Sequence, residues 1–132
     1  MLLALALSSC AKNAELPADL FSPSAAGAWQ RAEMRDLPVS ESPDPVPRNE
    51  VERLRQAVYN GPGKLEARVY QLSGPAVGTE LAQRWRPSAD TVFVNVGRYF
   101  VVVKWQAADR KALQEFLREL ETKLNAAAMK EK

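Results

Sequence analysis

Side chains able to do covalent or acid/base chemistry are few in this 132-residue chain, which holds no histidine and a single cysteine, Cys10. One thiol forms no internal disulfide, and a chain without imidazole has no Ser-His-Asp triad, no Cys-His nucleophile, no Cys/His zinc site and no histidine-ligated haem. Proton transfer is left to carboxylates, lysines and tyrosines. Glu66 and Arg68 stand two residues apart in an alternating segment, the spacing of an ion pair on one strand face, and Asp90 sits just ahead of another such segment. Neither brings two carboxylates to a separation suited to acid/base catalysis, so they read as a wet strand face and a turn aspartate. No phosphate-binding loop, dinucleotide fingerprint or calcium loop occurs. The 18 basic and 16 acidic residues are interspersed, and a net charge of +2 announces no nucleic-acid partner. Arg84-Trp85-Arg86 is the nearest approach to a basic-aromatic cluster, but it lies in an apolar-periodic stretch that suits a helix.

The neighbours of Cys10 say more than the thiol itself. Met1 to Leu7 is an uninterrupted apolar run, followed by Ser8, Ser9 and Cys10 and then by polar sequence. It is too short to span a bilayer, which takes about 20 apolar residues, but it suits the hydrophobic region of an export signal. No Lys or Arg precedes the run, where such signals normally open with a positive segment. Leu7-Ser8-Ser9-Cys10 resembles the lipobox of bacterial lipoprotein signal peptides: an aliphatic residue, two small residues, then cysteine. The resemblance implies cleavage between Ser9 and Cys10 and a diacylglyceryl thioether on Cys10, which becomes the acylated first residue. Ala11 in place of aspartate implies no inner-membrane retention, hence the outer membrane in a cell that has two. Thiolate nucleophilicity and the anchoring strength of several acyl chains on one residue agree with that role. A covalent lipid is the one non-protein group expected, with no metal and no other cofactor.

The rest of the chain must supply a domain. Hydrophobic residues at 46% and charged residues at 26% suit a globular protein with a real core. Six of the nine prolines fall between Pro17 and Pro47, and Pro43, Pro45 and Pro47 lie in the densest stretch, which therefore reads as a connecting loop over 38–48. Ahead of it, residues 28–34 predict a first strand. Asn49 and Glu52 resemble a capping box, and Val51, Leu54 and Val58 then predict a short helix over 49–59. Alternation of Leu65, Ala67 and Val69 with Glu66, Arg68 and Tyr70 predicts a strand over 64–72 with the second set on its wetter side. Val77, Leu81 and Trp85 predict a helix over 75–84, and the valine-rich run 91–105 predicts a hairpin turning at Gly97. Its second strand is apolar on both faces and needs cover on both. A final helix over 108–128, capped by Asp109, carries Ala112, Leu113, Phe116, Leu117, Leu120 and Leu124 inward and a Glu119–Lys123 pair outward.

This order predicts an α+β fold: an antiparallel sheet with a C-terminal hairpin and helices packed largely on one face, of which a ferredoxin-like topology is one form. The expected layout is a signal peptide over 1–9, a lipidated tether over 10–27, a single domain over 28–128 and a charged tail over 129–132. Gly27 with Trp29, the Gly-Arg-Tyr hairpin and the closing helix faintly resemble small uncharacterised envelope lipoproteins, which implies location rather than activity. The expectation is a membrane-anchored extracytoplasmic lipoprotein, a non-catalytic accessory or assembly subunit of an envelope complex. A periplasmic ligand-binding lipoprotein is the alternative, and a carboxylate-dependent enzyme comes third. For partner contact the candidates are Trp29, beside a glycine and close to the loop, and the loop prolines Pro43, Pro45 and Pro47.

Overall fold

Long runs that alternate apolar and polar side chains pair here into one curled antiparallel sheet. The computed structural model describes residues 16–17, 19–86 and 88–130, so the signal segment, Ser9, Cys10 and the start of the tether lie outside the described residues. The strands are β1 (Ser24–Ala25), β2 (Trp29–Leu37), β3 (Val51–Gly61), β4 (Gly63–Leu72), β5 (Thr91–Val96) and β6 (Tyr99–Gln106); the helices are α1 (Pro75–Arg84) and α2 (Arg110–Lys130). In space the order is β1-β2-β3-β4-β6-β5, with every neighbouring pair antiparallel. Because β6 lies between β4 and β5, those two run parallel and are joined through α1 as a split β-α-β unit. Ferredoxin-like folds contain that unit, but here β3 and β2 extend the sheet beyond β4. The two helices also do not share a face as expected.

Which face each helix takes follows from strand parity. Leu65, Ala67 and Val69 of β4 and Tyr99, Val101 and Val103 of β6 point to one side, where they pack with Ala112, Leu113, Phe116, Leu120, Leu124 and Ala127 of α2. Tyr70, Leu72, Phe100 and Val102 point to the other side and pack with Leu81 of α1, Val46 of the proline loop and Leu54 of β3. The two-sided apolar strand β6 thus receives the cover it needs. Asp109 caps α2 as its type suggests, its Oδ2 accepting from the Ala112 amide at 3.0 Å. Pro75 opens α1, where its missing N–H costs nothing. Gly97 turns the hairpin with φ 56°, a conformation that a Cβ would strain.

Three expectations are corrected. Residues 51–61 form β3, not a helix, because they pair on one side with β2 and on the other with β4. Leu54 and Val58 are four apart, a spacing that shares one face in a strand as well as in a helix. Val51 is brought out of step by a bulge between it and Arg53. Second, Leu16, Leu20, Phe21 and Ala25 belong to the core under α2, so the folded unit reaches back to Leu16 and the expected tether does not extend to 27. Glu119 and Lys123 help to hold this segment: Glu119 accepts from the Ala26 amide at 2.8 Å, and Lys123 donates to Ser22 Oγ. Third, Trp29 is fully buried, its Nε1 donating to the Ala112 carbonyl at 3.0 Å and its ring edge-on to Phe116, so it is not a surface contact.

Candidate functional site

Polar side chains of β3, β4 and β6 gather on the α1 face beyond the end of the helix, and the proline loop closes over part of them. Prolines at 38 and 47 each precede a short 3-10 turn, Val39–Glu41 and Arg48–Glu50, which leaves Ser42 to Pro45 free to dip towards the sheet. There Arg68, only 4% exposed, grips Asp44 through Nε to Oδ2 at 2.8 Å and Nη2 to Oδ1 at 3.1 Å. Tyr70 donates its hydroxyl to Asp44 Oδ2 at 2.5 Å, and Ser42 Oγ lies 3.0 Å from that hydroxyl. The far nitrogen of Arg68, Nη1, reaches Gln56 Oε1 at 3.2 Å and Glu66 Oε2 at 3.1 Å. Burial disfavours the Arg68 cation, but the hydrogen bond and charge of Asp44 more than offset it and raise its pKa above the ordinary arginine value. Burial first, and the Asp44 hydrogen bond second, push the Tyr70 phenol up as well. The bidentate fork and its satisfied neighbours make this a clasp that fixes the loop on the sheet. Glu66, Arg68 and Tyr70 are therefore not one wet face: the loop buries Arg68 and Tyr70 completely enough to leave Glu66 alone at the rim.

Beside the clasp opens a cleft of about 500 Å³. Asp44 and Pro45 of the loop form one wall, Leu81, Arg84 and Trp85 at the end of α1 a second, and Arg86, Ser88, Thr91 and Lys104 the remainder. Trp85 is set by its ring contacts with Phe93 and Phe100, centroids 6.1 Å and 5.2 Å away. Its indole thus anchors the Arg84-Trp85-Arg86 stretch while both arginines stay exposed. A neighbouring cleft of about 440 Å³ shares Lys104 and adds Lys64, Glu66 and Asp90. Asp90 occupies a turn with φ 60°, as its sequence position suggests.

The two sheet edges differ in chemistry. β1 covers only the first residues of β2, and the rest of that strand is open but carries Arg31, Glu33, Arg35 and Asp36. At the opposite edge β5, Thr-Val-Phe-Val-Asn-Val, has no charged residue, and all six positions are half-buried. A shallow groove of about 450 Å³ runs between this strand and α2, lined by Val92, Val94, Leu117, Arg118 and Glu121 among others.

Of the contact residues predicted from sequence, Pro43 and Pro45 are exposed, Pro47 is half-buried, and Pro45 lines the larger cleft. Trp85 and Trp105, which helical and strand periodicity assign to the core, are only half-buried, the reverse of Trp29. Lys104 carried no signal, being a lone cation at the end of a valine run. Among the described residues no group of His, Cys, Asp or Glu could hold a metal ion, and no helix is long and apolar enough to cross a membrane. No family model matches the chain, and neither a curated protein nor a solved structure is significantly similar to it.

Proposed function

We propose that this chain is a non-catalytic accessory subunit of an envelope membrane complex, tethered on the extracytoplasmic side by lipid on Cys10 and docking a partner along β5. The observation that carries the docking is the uncharged free edge. Edge strands present unpaired N–H and C=O groups, and soluble proteins blunt them with charge, as β2 does with Arg31, Glu33, Arg35 and Asp36. β5 has no such protection, and a groove beside it gives side chains of an added strand somewhere to go. An extended segment of another subunit would complete the sheet there. The tether rests on Leu7-Ser8-Ser9-Cys10. The non-catalytic reading is supported by the use of Asp44 and Glu66: Asp44 is spent on Arg68 and Tyr70, and Glu66, one of the two carboxylates singled out in the sequence, on Arg68, while the other, Asp90, lines the neighbouring cleft without an ion pair among the described residues.

Solubilisation of the native membrane in mild detergent, followed by mass spectrometry of whatever co-purifies, tests this reading. A stoichiometric partner is expected with the natural chain and is lost with Val94→Lys, which puts a charge on the open edge. Circular dichroism of that variant should stay unchanged. Cys10→Ser should release the protein from the membrane fraction and abolish labelled-palmitate incorporation. A chain that purifies alone and monomeric overturns the subunit reading, and palmitate incorporation that survives Cys10→Ser overturns the anchor.

A further inference from the structure

The cleft beside the loop clasp has a charge excess that nothing in the fold answers. Arg84, Arg86 and Lys104 line it, all are exposed, and none makes an ion pair among the described residues. Its single carboxylate, Asp44, already accepts from two nitrogens of Arg68 and from the Tyr70 hydroxyl, and its charge is answered by Arg68. With the clasp counted in, four cations (Arg68, Arg84, Arg86, Lys104) face two carboxylates (Asp44, Glu66), an excess of two positive charges. The adjoining cleft adds Lys64 and Asp90, which balance.

The walls are also held in place. Trp85, wedged against Phe93 and Phe100, fixes where the two flanking arginines leave the backbone. The Arg68–Asp44 clasp fixes the loop wall, and Lys104 rises from a strand paired on both sides. Cations carried on restrained elements lose less freedom when they bind an anion. Ser88 offers a hydroxyl, while Leu81, Pro45 and Trp85 supply an apolar wall. Singly charged carboxylates would leave part of the excess unbalanced. A phosphate monoester brings close to two negative charges at neutral pH and three acceptor oxygens that match guanidinium geometry.

We infer that this cleft is a binding site for a phosphate monoester whose small organic body lies against Trp85 and Leu81. The ester is carried either by a soluble molecule or by a lipid headgroup, and the site is independent of docking along β5. Calorimetric titration with phenyl phosphate at fixed ionic strength, using the full chain carrying Cys10→Ser, tests it. One saturable site is expected, at least tenfold tighter than phenylacetate, with affinity falling as pH drops below about 6 and the ester loses its second charge. Arg84→Gln and Arg86→Gln should each weaken binding about tenfold. Arg110→Gln with Lys111→Gln, on α2, should leave it unchanged. Flotation with phosphatidylcholine vesicles with and without phosphatidic acid separates the sources. Capture that needs phosphatidic acid, Arg84 and Arg86 assigns the lipid headgroup; binding of phenyl phosphate without flotation assigns the soluble ester. Failure to bind either, equal affinity for phenylacetate, or equal loss in the α2 control overturns the site.

Discussion

On the α2 face, Leu65, Ala67, Val69, Val101 and Val103 lie under one unbroken apolar helix stripe; on the α1 face the helix and loop cover Tyr70, Leu72, Phe100 and Val102, Arg68 is buried by the proline loop alone, and Glu66 and Lys104 beyond it stay open to the clefts. Helix length explains the contrast. With 21 residues, α2 is ~31 Å long, whereas α1, with 10, is ~15 Å. A 10-residue strand such as β4 spans ~33 Å, so α1 can roof only half of its face. The unroofed half must be polar or be covered by something else, and both solutions appear: a proline loop clasped by Arg68, and an open cleft. Stability is thus concentrated on one face, and the features available for binding lie on the other and along the β5 edge.

The sharpest way to break that contrast is to hollow the dry face. Phe116 meets Tyr59 and Trp29 edge-on, centroids 5.1 Å and 6.4 Å away. Phe116→Ala should cost ~3–5 kcal/mol in chemical denaturation and lower the cooperative midpoint of the whole domain. On the other face, Arg68→Met leaves the Asp44 carboxylate part-buried with no counter-charge and only the Tyr70 hydroxyl as a hydrogen-bond donor, a loss of ~3 kcal/mol or more. The loop can, however, lift Asp44 into water. The expected signature is therefore rapid proteolysis within 38–48, with hydrogen exchange in α2 and β6 unchanged. Global unfolding at the same denaturant concentration as for Phe116→Ala would show that the two faces are not separable.

A pH titration separates the faces by a different route. Burial, chiefly, raises the Tyr59 phenol to about 12; it donates to the Ser22 carbonyl at 2.7 Å and so holds the N-terminal segment on the α2 face. The folded state keeps its proton where the unfolded chain, with a pKa near 10, has lost it. This contribution is complete below pH ~10 and is lost as pH climbs from there towards 12, by up to ~3 kcal/mol. Tyr59→Phe should remove that part of the alkaline fall in denaturant midpoint. The part of the fall that comes from Tyr70 should vanish with Tyr70→Phe, which should also release the proline loop. An unchanged alkaline profile in Tyr59→Phe would refute the assignment.

How much of this could be read from the chain depended on whether local spacing decided the outcome. The hairpin at Gly97, the Asp109 cap and the Pro75 start were legible because turn and cap chemistry acts over a few residues. Spacing by fours was not decisive: Val77-Leu81-Trp85 is a helix and its end, while Leu54-Val58 is a strand, and only pairing with β2 and β4 separates them. The clasp was invisible because Asp44 and Arg68 meet across 24 residues of chain. The cleft was half legible. Arg84-Trp85-Arg86 stands out as a cluster, but nothing local brings Lys104 to it. Trp29 reads as exposed from sequence, a tryptophan beside glycine near a loop, because the α2 residue that covers it lies more than 80 residues later.

The subtlest test concerns how closely α1 approaches the hairpin, which sets where its C-terminal end and Arg84 lie. A Cβ on Gly78 would sit 2.5 Å from Asn95 Oδ1 and 3.1 Å from the Gly97 carbonyl oxygen. Asn95 Oδ1 is itself buried without a hydrogen-bond partner. Gly78→Ala gains up to ~1 kcal/mol of helix propensity but loses ~1–3 kcal/mol to overpacking, so a net destabilisation of ~1 kcal/mol is expected. The two contacts differ in what can yield: the amide is the end of a side chain, the carbonyl is backbone. If the amide is the obstacle, Gly78→Ala in an Asn95→Ser background should reverse sign and become stabilising by a few tenths of a kcal/mol, a coupling that a double-mutant cycle measures directly. If the carbonyl is the obstacle, the two substitutions should add without coupling, and α1 would have to move away from the sheet. Phenyl phosphate binding should then weaken in Gly78→Ala while the α2 face keeps its hydrogen-exchange protection.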